Sequence, residues 1–471
     1  MPSFGGLGTA LSGLEAQQRS MAVISQNITN VDTDGYSRKD VQLTGTGNPP
    51  GTALFSKSSE DGQGVSVQSV TRVRDQFLDS TARTAMSNQG AADQNATVLG
   101  QIESIVPEPS DSGLSSQMQK LWSAWSDASN SPDSVASRTA LLSQATTVAT
   151  TLNTASASMT TLRSGVVTQM SSAVAKVNSQ TSQIAKLNSE IRTAIAAGVD
   201  PSDLQDQRDN DIDALSTSVG ATTHANADGT VDVFLGGGTL VRADTSSDIK
   251  LTQSGTLDPP LDTLPLQKVA ITWASGGDSV QGLGGQIGAM VTSVDTTIPR
   301  YLSQLDGVAA SLVTTVNTLH ETGQGLDPVN DVNLDFFDPT KTTAASISLS
   351  TDVAGQPSRV ALAAAGAGTL DGSLGQQIAA LANSTTGPDA TYQAMVGGLG
   401  IETQSANDHS TVQDQIASTA QAARTSVSGV NLDEEMTNLI AAQRAYESAA
   451  RLMTTIDSTL DTLINRTGLT T

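Results

Sequence analysis

The chain contains no cysteine, which excludes disulfides and thiolate metal sites. That absence leaves the compartment open and is compatible with an exported bacterial protein that crosses redox environments without cross-linking. Histidine occurs only at His224, His320 and His409. These positions lie far apart, and His320-Glu321 lacks the second histidine of a zinc-protease helix, so no metal centre and no cofactor is expected. Aromatic residues make up 3% of the chain, and Trp122, Trp125 and Trp273 are too few to line a sugar-stacking cleft. Basic side chains are also scarce, with 24 Lys and Arg against 47 Asp and Glu, a formal charge of -23. Such a surface repels phosphate backbones, and nucleic acid as a partner is excluded. No apolar run of about 18 residues appears, so no membrane span is expected. The first thirty residues show no basic region followed by an unbroken apolar one. The chain is therefore expected either to stay in the cytosol or to leave it without a cleaved signal peptide.

Two loops that could carry chemistry do not. Asp331, Asn333 and Asp335 alternate as in a calcium loop, but Phe336 stands where glycine is needed and Thr342 where the bidentate glutamate is needed. They are expected to be solvent-exposed loop carboxylates. Gly236-Gly237-Gly238 lacks a following Gly-Lys-Ser/Thr and reads as a hairpin or loop. Nothing places two carboxylates in an aromatic-lined cleft, and no enzymatic activity is expected.

What is present is a pair of apolar stripes, one at each end. Leu7, Leu11, Leu14, Met21 and Ile28 recur at steps of four and three or their sum of seven. Met436, Leu439, Tyr446, Ala450, Met453, Leu460 and Ile464 do the same near the other end. These are the steps of a coiled-coil seam. Each knob buried between helices would stabilise by roughly 1.5–3 kcal/mol, and a helix of about 25 residues reaches about 38 Å, enough to line a tube wall. Gln18, Ser25, Gln443 and Asp457 interrupt the seams. Such breaks weaken a pair and can set its register, which predicts terminal helices that order only on assembly. An ordinary intramolecular helix pair accounts for the same stripes, and the two readings are compatible.

Between the stripes the pattern is helix, β, helix. Residues 37–75 hold short β-type runs and a turn at Asn48-Pro49-Pro50-Gly51. Helix is predicted from about Asp75 to Ser216, with separate pieces over Arg138 to Met159 and along Val174, Val177, Thr181, Ile184, Ile191 and Ile195. Ser202 with Gln205 reads as a capping box, as does Asn431 with Glu434. Thr230 to Leu235 alternates in period two, and Lys268 to Trp273 is a second β-type run. Helix returns from Gly285 to Thr322, with Pro299 a candidate kink, and again from Gln376 to Asn465. The expected architecture is mainly α with a β insertion, nested in layers. Residues 1–70 with 431–471 form a terminal helical assembly domain. Residues 71–217 with 285–325 and 376–430 form a helical bundle, and 218–284 an outer β domain. Residues 326–375 are an irregular segment belonging to the bundle or to the outer domain.

The stretch Ser25-Gln26-Asn27-Ile28-Thr29-Asn30-Val31-Asp32-Thr33-Asp34-Gly35-Tyr36-Ser37-Arg38 resembles the signature of bacterial flagellar rod, hook and hook-associated proteins. Three further segments are similar to the hook-associated protein 1 (FlgK) family: Val199 to Asp209, Gly284 to Asp306, and Ser428 to Glu447. Thr29 and Ser202 replace the commoner Ala and Asn. The resemblance implies a structural subunit at the junction of hook and filament. It implies a ring of self-associating subunits that contacts the hook protein and the second hook-associated junction protein. It also implies a cytoplasmic export chaperone at the C-terminal helix, and secretion through the flagellar type III route. The residues expected at the assembly interface are the stripe positions Leu7, Leu11, Leu14, Met21, Ile28, Met436, Leu439, Tyr446, Met453, Leu460 and Ile464. With them stand Asn27, Asn30, Gly35 and Tyr36, whose alternative role is helix-end and turn chemistry. Competing readings are flagellin or the second junction protein, and from another class a secreted acidic adhesin.

Overall fold

The computed structural model describes residues 2–46, 64–256 and 266–465; the turn expected at Asn48 to Gly51 lies outside them. The chain opens with helix α1 (Pro2–Thr29), followed by an antiparallel pair, β1 (Lys39–Gly45) and β2 (Val65–Arg72). Four helices follow: α2 (Gln76–Ile105), α3 (Leu114–Asn130), α4 (Val135–Ala196) and α5 (Ser202–Val219). Next come β3 (Thr222–Ala225), β4 (Val231–Leu235), β5 (Gly238–Arg242), β6 (Thr245–Ser246), β7 (Ile249–Thr256) and β8 (Gln267–Trp273). The chain returns through α6 (Gly285–Thr292), one π-helical turn (Ser293–Thr297) and α7 (Ile298–His320). After an irregular stretch it finishes with α8 (Ser373–Ala379), α9 (Pro388–Ser428) and α10 (Leu432–Asn465). The result is a mainly α protein with small β parts.

The longest element is α4, with 62 residues, about 93 Å at 1.5 Å per residue. The two pieces expected from sequence are joined in it. No proline interrupts them, and Gly165 is the one glycine between Val135 and Ala196. Ser134 starts the helix by accepting the Ser137 amide at 3.2 Å. One face of α4 carries Leu141, Val148, Leu152, Met159, Val166, Met170, Val177 and Ile184, all buried. This face shares one continuous core with Leu99 and Ile102 of α2, Met118 and Trp125 of α3, and Leu305 and Leu312 of α7. Pro299, the candidate kink, directly follows the π-turn inside a helical run that stays right-handed through Thr297 and Ile298.

The β insertion forms two sheets rather than one: β3-β4-β5-β6 and the hairpin β7-β8. Val231, Val233 and Leu235 point inward in alternation, as their period predicts. Two asparagines of α4 dock these sheets by acting as backbone partners. Asn188 donates to the carbonyls of Val231 (2.8 Å) and Ala243 (2.7 Å) and accepts the Val231 amide (3.1 Å). Asn178 does the same for both backbone groups of Ile249 (2.8 and 3.0 Å). The glycine run makes the β4–β5 turn, with Gly236 and Gly237 at φ 53° and 84°.

The irregular segment between α7 and α8 forms no lobe of its own. It lies on the bundle and is held there by three buried side chains that bond its backbone. Asn317 accepts the amides of Phe336 (3.1 Å) and Phe337 (2.9 Å) and donates to the Phe337 carbonyl (2.8 Å). His320 bonds the Leu334 carbonyl through Nδ1 (2.6 Å) and accepts the Ala361 amide at Nε2 (2.8 Å). Arg138 donates to the carbonyls of Pro132 and Val360. Phe336 then stacks against Trp125 at 4.9 Å between centroids. Two expectations need correction here. Asp331 is buried and pairs with Arg359 at 3.2 Å, so it is not an exposed loop carboxylate. At α5 the N-cap position is Pro201 and Ser202 is the first helical residue; Asp200, just before the cap, accepts the Ser202 amide and hydroxyl (3.0 and 2.6 Å).

Burial holds the His320 pKa down at about 4, and the nearby Arg138 adds to the effect. Its neutral form therefore stabilises the fold fully above the unfolded value near 6.5. That contribution is lost as pH falls from about 6.5 to about 4, by roughly 3 kcal/mol in all. Urea titrations across this range should show the decline, and His320→Gln should flatten it while lowering stability at neutral pH.

Candidate assembly interface

Helices α1 and α10 pack antiparallel. A Cβ on Gly6 would meet Ile456 at 3.3 Å, and one on Gly13 would meet Ala449 at 3.8 Å. Asn27 at the other end bonds Glu435. The side chains that this packing buries are mostly small: Ala10, Ala16 and Val23 on α1, and Ala442 on α10. Small residues let helix backbones approach closely, but each buries little area. The expected large stripes are not the seam of this pair. Leu7, Leu14, Met21 and Ile28 are half-buried, and so are Leu439, Met453 and Leu460. Leu11 (47% exposed), Met436 (49%), Tyr446 and Ile464 (71%) face solvent. In this pair the seam has the smaller residues, and the larger ones flank it or point away.

Asn27 is the hub at the base of the pair. It is 1% exposed and makes contacts to three chain segments. Its amide nitrogen donates to the Lys39 carbonyl (2.9 Å) and Glu435 Oε2 (3.1 Å). Its oxygen accepts the Lys39 amide (3.0 Å) and the Tyr36 hydroxyl (2.9 Å). A buried polar side chain satisfied on every side fixes geometry, because any slip strands a partner. Glu435 is itself only 3% exposed. Burial and the carboxylates of Asp206 and Asp203 raise the Tyr36 pKa, which keeps its hydroxyl a donor. Asn30 behaves differently. It bonds the Gln26 carbonyl and the Thr33 hydroxyl, which is helix-end and turn chemistry.

The turn after α1 needs Gly35. Its φ is 75°, and a Cβ there would lie 1.9 Å from Asn210 Oδ1 on α5. This close approach seats the turn on α5. Asp203, Asp206 and Asp209 recur every three residues, so one face of that helix presents all three carboxylates. Ser37 donates to Asp206 through its amide (3.2 Å) and hydroxyl (2.8 Å). Lys39 reaches Asp203 at 2.6 Å, and Arg72 bridges Asp206 and Asp209 at 2.7 and 2.8 Å. Arg74 joins Asp209 (2.8 Å) to Asp79 of α2 (2.7 Å), and Arg424 of α9 joins through Asp213 (2.6 Å). Burial alone would raise the Asp209 pKa, but Arg72, Arg74, Arg208 and Arg83 outweigh it and hold the value at about 2.

Asn431 caps α10 by accepting the amides of Asp433 (3.0 Å) and Glu434 (3.4 Å). Glu434 does not complete a capping box; its carboxylate pairs with Arg38 at 3.1 Å instead. Sequence reasoning passed over Glu435 and the arginines. The Gly6, Ala10 and Gly13 spacing was a local signal for the true seam, whereas nothing local pairs Arg72 with a helix that starts 130 residues later. Among the described residues no cluster of three or more metal-ligating side chains occurs, and no helix is long and apolar enough to cross a membrane.

Both ends of the chain match rod-protein families. Residues 7–36 match the family described as flagella basal body rod protein, and residues 421–466 match the flagellar basal body rod FlgEFG protein C-terminal family. A helix pair built from these two ends marks an axial structural protein of the bacterial flagellum. Residues 99–337 match the family described as flagellar hook-associated protein FlgK helical domain. Flagellar hook-associated protein 1 of Bacillus subtilis is 31% identical, over 99% of both chains. That of Escherichia coli is 23% identical, over 98% of this chain and 99% of its own. The chain belongs to the flagellar hook-associated protein 1 (FlgK) family. A solved structure of the flagellar hook junction protein FlgK from Burkholderia pseudomallei shares the fold, with a TM-score of 0.62 at 16% identity, over 74% of this chain and all of that one. The family is structural, its place is the extracellular flagellum, and its associates are other flagellar axial proteins.

Asn27→Ala removes the hub and leaves Glu435 buried without that donor, a loss of about 2–4 kcal/mol. Hydrogen exchange should accelerate over residues 431–445 while the bundle core stays protected. Gly35→Ala should produce the same local loosening, and uniform exchange in either variant would contradict the role given to the hub.

Proposed function

We propose that the chain forms the junction between hook and filament by packing its terminal helices against those of neighbouring subunits. The observation that carries this reading is the distribution of side chains on the terminal pair. Small residues occupy the intramolecular seam, while Leu11, Met436, Tyr446 and Ile464 remain exposed and Leu7, Leu14, Met21 and Ile28 are only half-covered. A row of large apolar side chains kept in water is costly unless association covers it. The antiparallel pair presents such rows from both ends of the chain together.

The assembly is a ring of identical subunits with the hook protein on one side and the second hook-associated junction protein on the other. Its layers follow the chain: residues 1–70 with 431–471 innermost, the helical bundle of residues 71–217, 285–325 and 376–430 around them, and the β insertion of residues 218–284 outermost. Residues 326–375 belong to the bundle layer in this reading. Before assembly, the shallow seam suits export without a cleaved signal peptide and capture of the exposed face of α10 by a cytoplasmic chaperone. Asn27, Gly35 and Tyr36 serve the interface indirectly, by setting the direction in which the helices leave the bundle.

Two strains test this. Deletion of residues 432–466 should yield paralysed cells that release flagellin monomers into the medium. A double substitution, Leu11→Glu with Met436→Glu, should leave the thermal unfolding of the purified monomer within about 2 °C of the parent, because both positions are exposed, yet give the same non-motile phenotype. Normal filaments in the double-substituted strain would reject the packing proposed here.

A further inference from the structure

The charge network at the base of the terminal pair is not balanced. Its members are the guanidinium groups of Arg72, Arg74, Arg83 and Arg424, with that of Arg208 beside them 3.6 Å from Asp209, and the carboxylates of Asp79, Asp206, Asp209 and Asp213; Lys39 and Asp203 pair separately. Five cations thus meet four anions. The surplus is concentrated at one place, a cavity of about 330 Å³ lined by Arg72, Arg74, Arg83 and Arg208, with Asp79 and Asp209. In a chain of net charge -23, four guanidinium groups on one cavity form a local inversion of sign.

Three of these arginines have donors to spare. Arg208 is 4% exposed. One terminal nitrogen bonds Asn188 (3.2 Å) and the Gly229 carbonyl (2.7 Å). Its Nε is buried and without a hydrogen-bond partner among the described residues, with Asp209 Oδ1 at 3.6 Å, too far for a bond. Arg83 bonds Asp213 (2.7 Å) and Thr223 (3.1 Å), but its Nη2 stands 3.9 Å from Asp209. Arg72 bonds both carboxylates through Nη1 alone. Burial lowers the Arg208 pKa; the Asp209 carboxylate opposes this, and the neighbouring Arg72 and Arg83 lower it further.

We propose that this cavity binds a small oxyanion of phosphate size, held by Arg72, Arg83 and Arg208. Guanidinium groups present paired N–H donors that match the oxygens of such an anion. The general negative field of the chain does not forbid this, because salt screens it beyond about 8 Å while the guanidinium contacts act at bonding distance. The site lies where β2, α2, α5 and the β3–β4 edge converge. A bound anion therefore ties the strand pair that carries the terminal helices to both the bundle and the β insertion, and it stabilises the joint by mass action.

The test uses the full-length monomer in a phosphate-free buffer, with sodium chloride adjusted to keep ionic strength constant. Added inorganic phosphate should raise the melting temperature with the logarithmic concentration dependence of one-site binding, by about 2 °C at millimolar excess, and should broaden the phosphorus resonance of the free ion. Arg208→Gln should weaken both responses at least several-fold. That variant also loses the Gly229 bond, so Ser80→Glu at the cavity lining provides a second arm. Its carboxylate supplies the missing charge internally, and it should raise the phosphate-free melting temperature and abolish the response to phosphate. A wild-type chain that responds to phosphate no more than to chloride overturns the proposal, and so does a Ser80→Glu variant that keeps the full response. The readout concerns the monomer in solution, so its outcome is separate from that of the junction assembly.

Discussion

The acidic face of α5 is the constraint on which the rest of the molecule depends. Asp203, Asp206 and Asp209 receive Lys39, Ser37, Arg72 and Arg74 from the strand pair that continues α1. Apart from Asp203, whose carboxylate is mostly exposed, these groups are largely withdrawn from water. Desolvated charges are tolerable only when each finds its partners in good geometry, and removing one leaves the others stranded. The network therefore resists small displacements and fixes the direction in which the terminal helices leave the bundle. Gly35 and Asn27 extend that control to the helices themselves.

The bundle rests on a continuous core along α4 and is pinned by buried or half-buried side chains that replace backbone partners: Asn178 and Asn188 for the sheets, Asn317, His320 and Arg138 for the irregular segment. The terminal pair has a hydrogen-bonded hub at its base and then a seam of alanine and glycine. A shallow seam with large side chains beside it is poor design for an isolated helix pair and good design for one that will be enclosed by neighbours. The same constraint gives the pair a fixed base and an adaptable far end.

Much of this was legible in advance. The helical and β stretches followed from periodicity, and the signature around Asn27 to Arg38 pointed to the flagellar axial proteins. The errors share a cause. Apolar steps located α1 and α10 but not which face meets which, because Leu7 and Ala10 are equally compatible with a helical stripe. The capping boxes at Ser202 and Glu434 failed because Asp200 and Arg38 competed for the same groups. Asp331 read as an exposed loop residue because Arg359, its partner, is distant in sequence.

The sequence by itself determined the elements, the acidic surface, the lack of disulfides and the family, since each depends on composition or on short-range pattern. Only the tertiary structure decided which residues form the seam, that Asn27 is a hub, that residues 326–372 lie on the bundle, and that five arginines meet four aspartates in one place. Those facts depend on pairs beyond the reach of local pattern, many of them more than a hundred residues apart, or on which face of a helix is covered. Such pairings are settled by packing and by the cost of leaving buried charge unmatched, and neither leaves a mark on the local sequence.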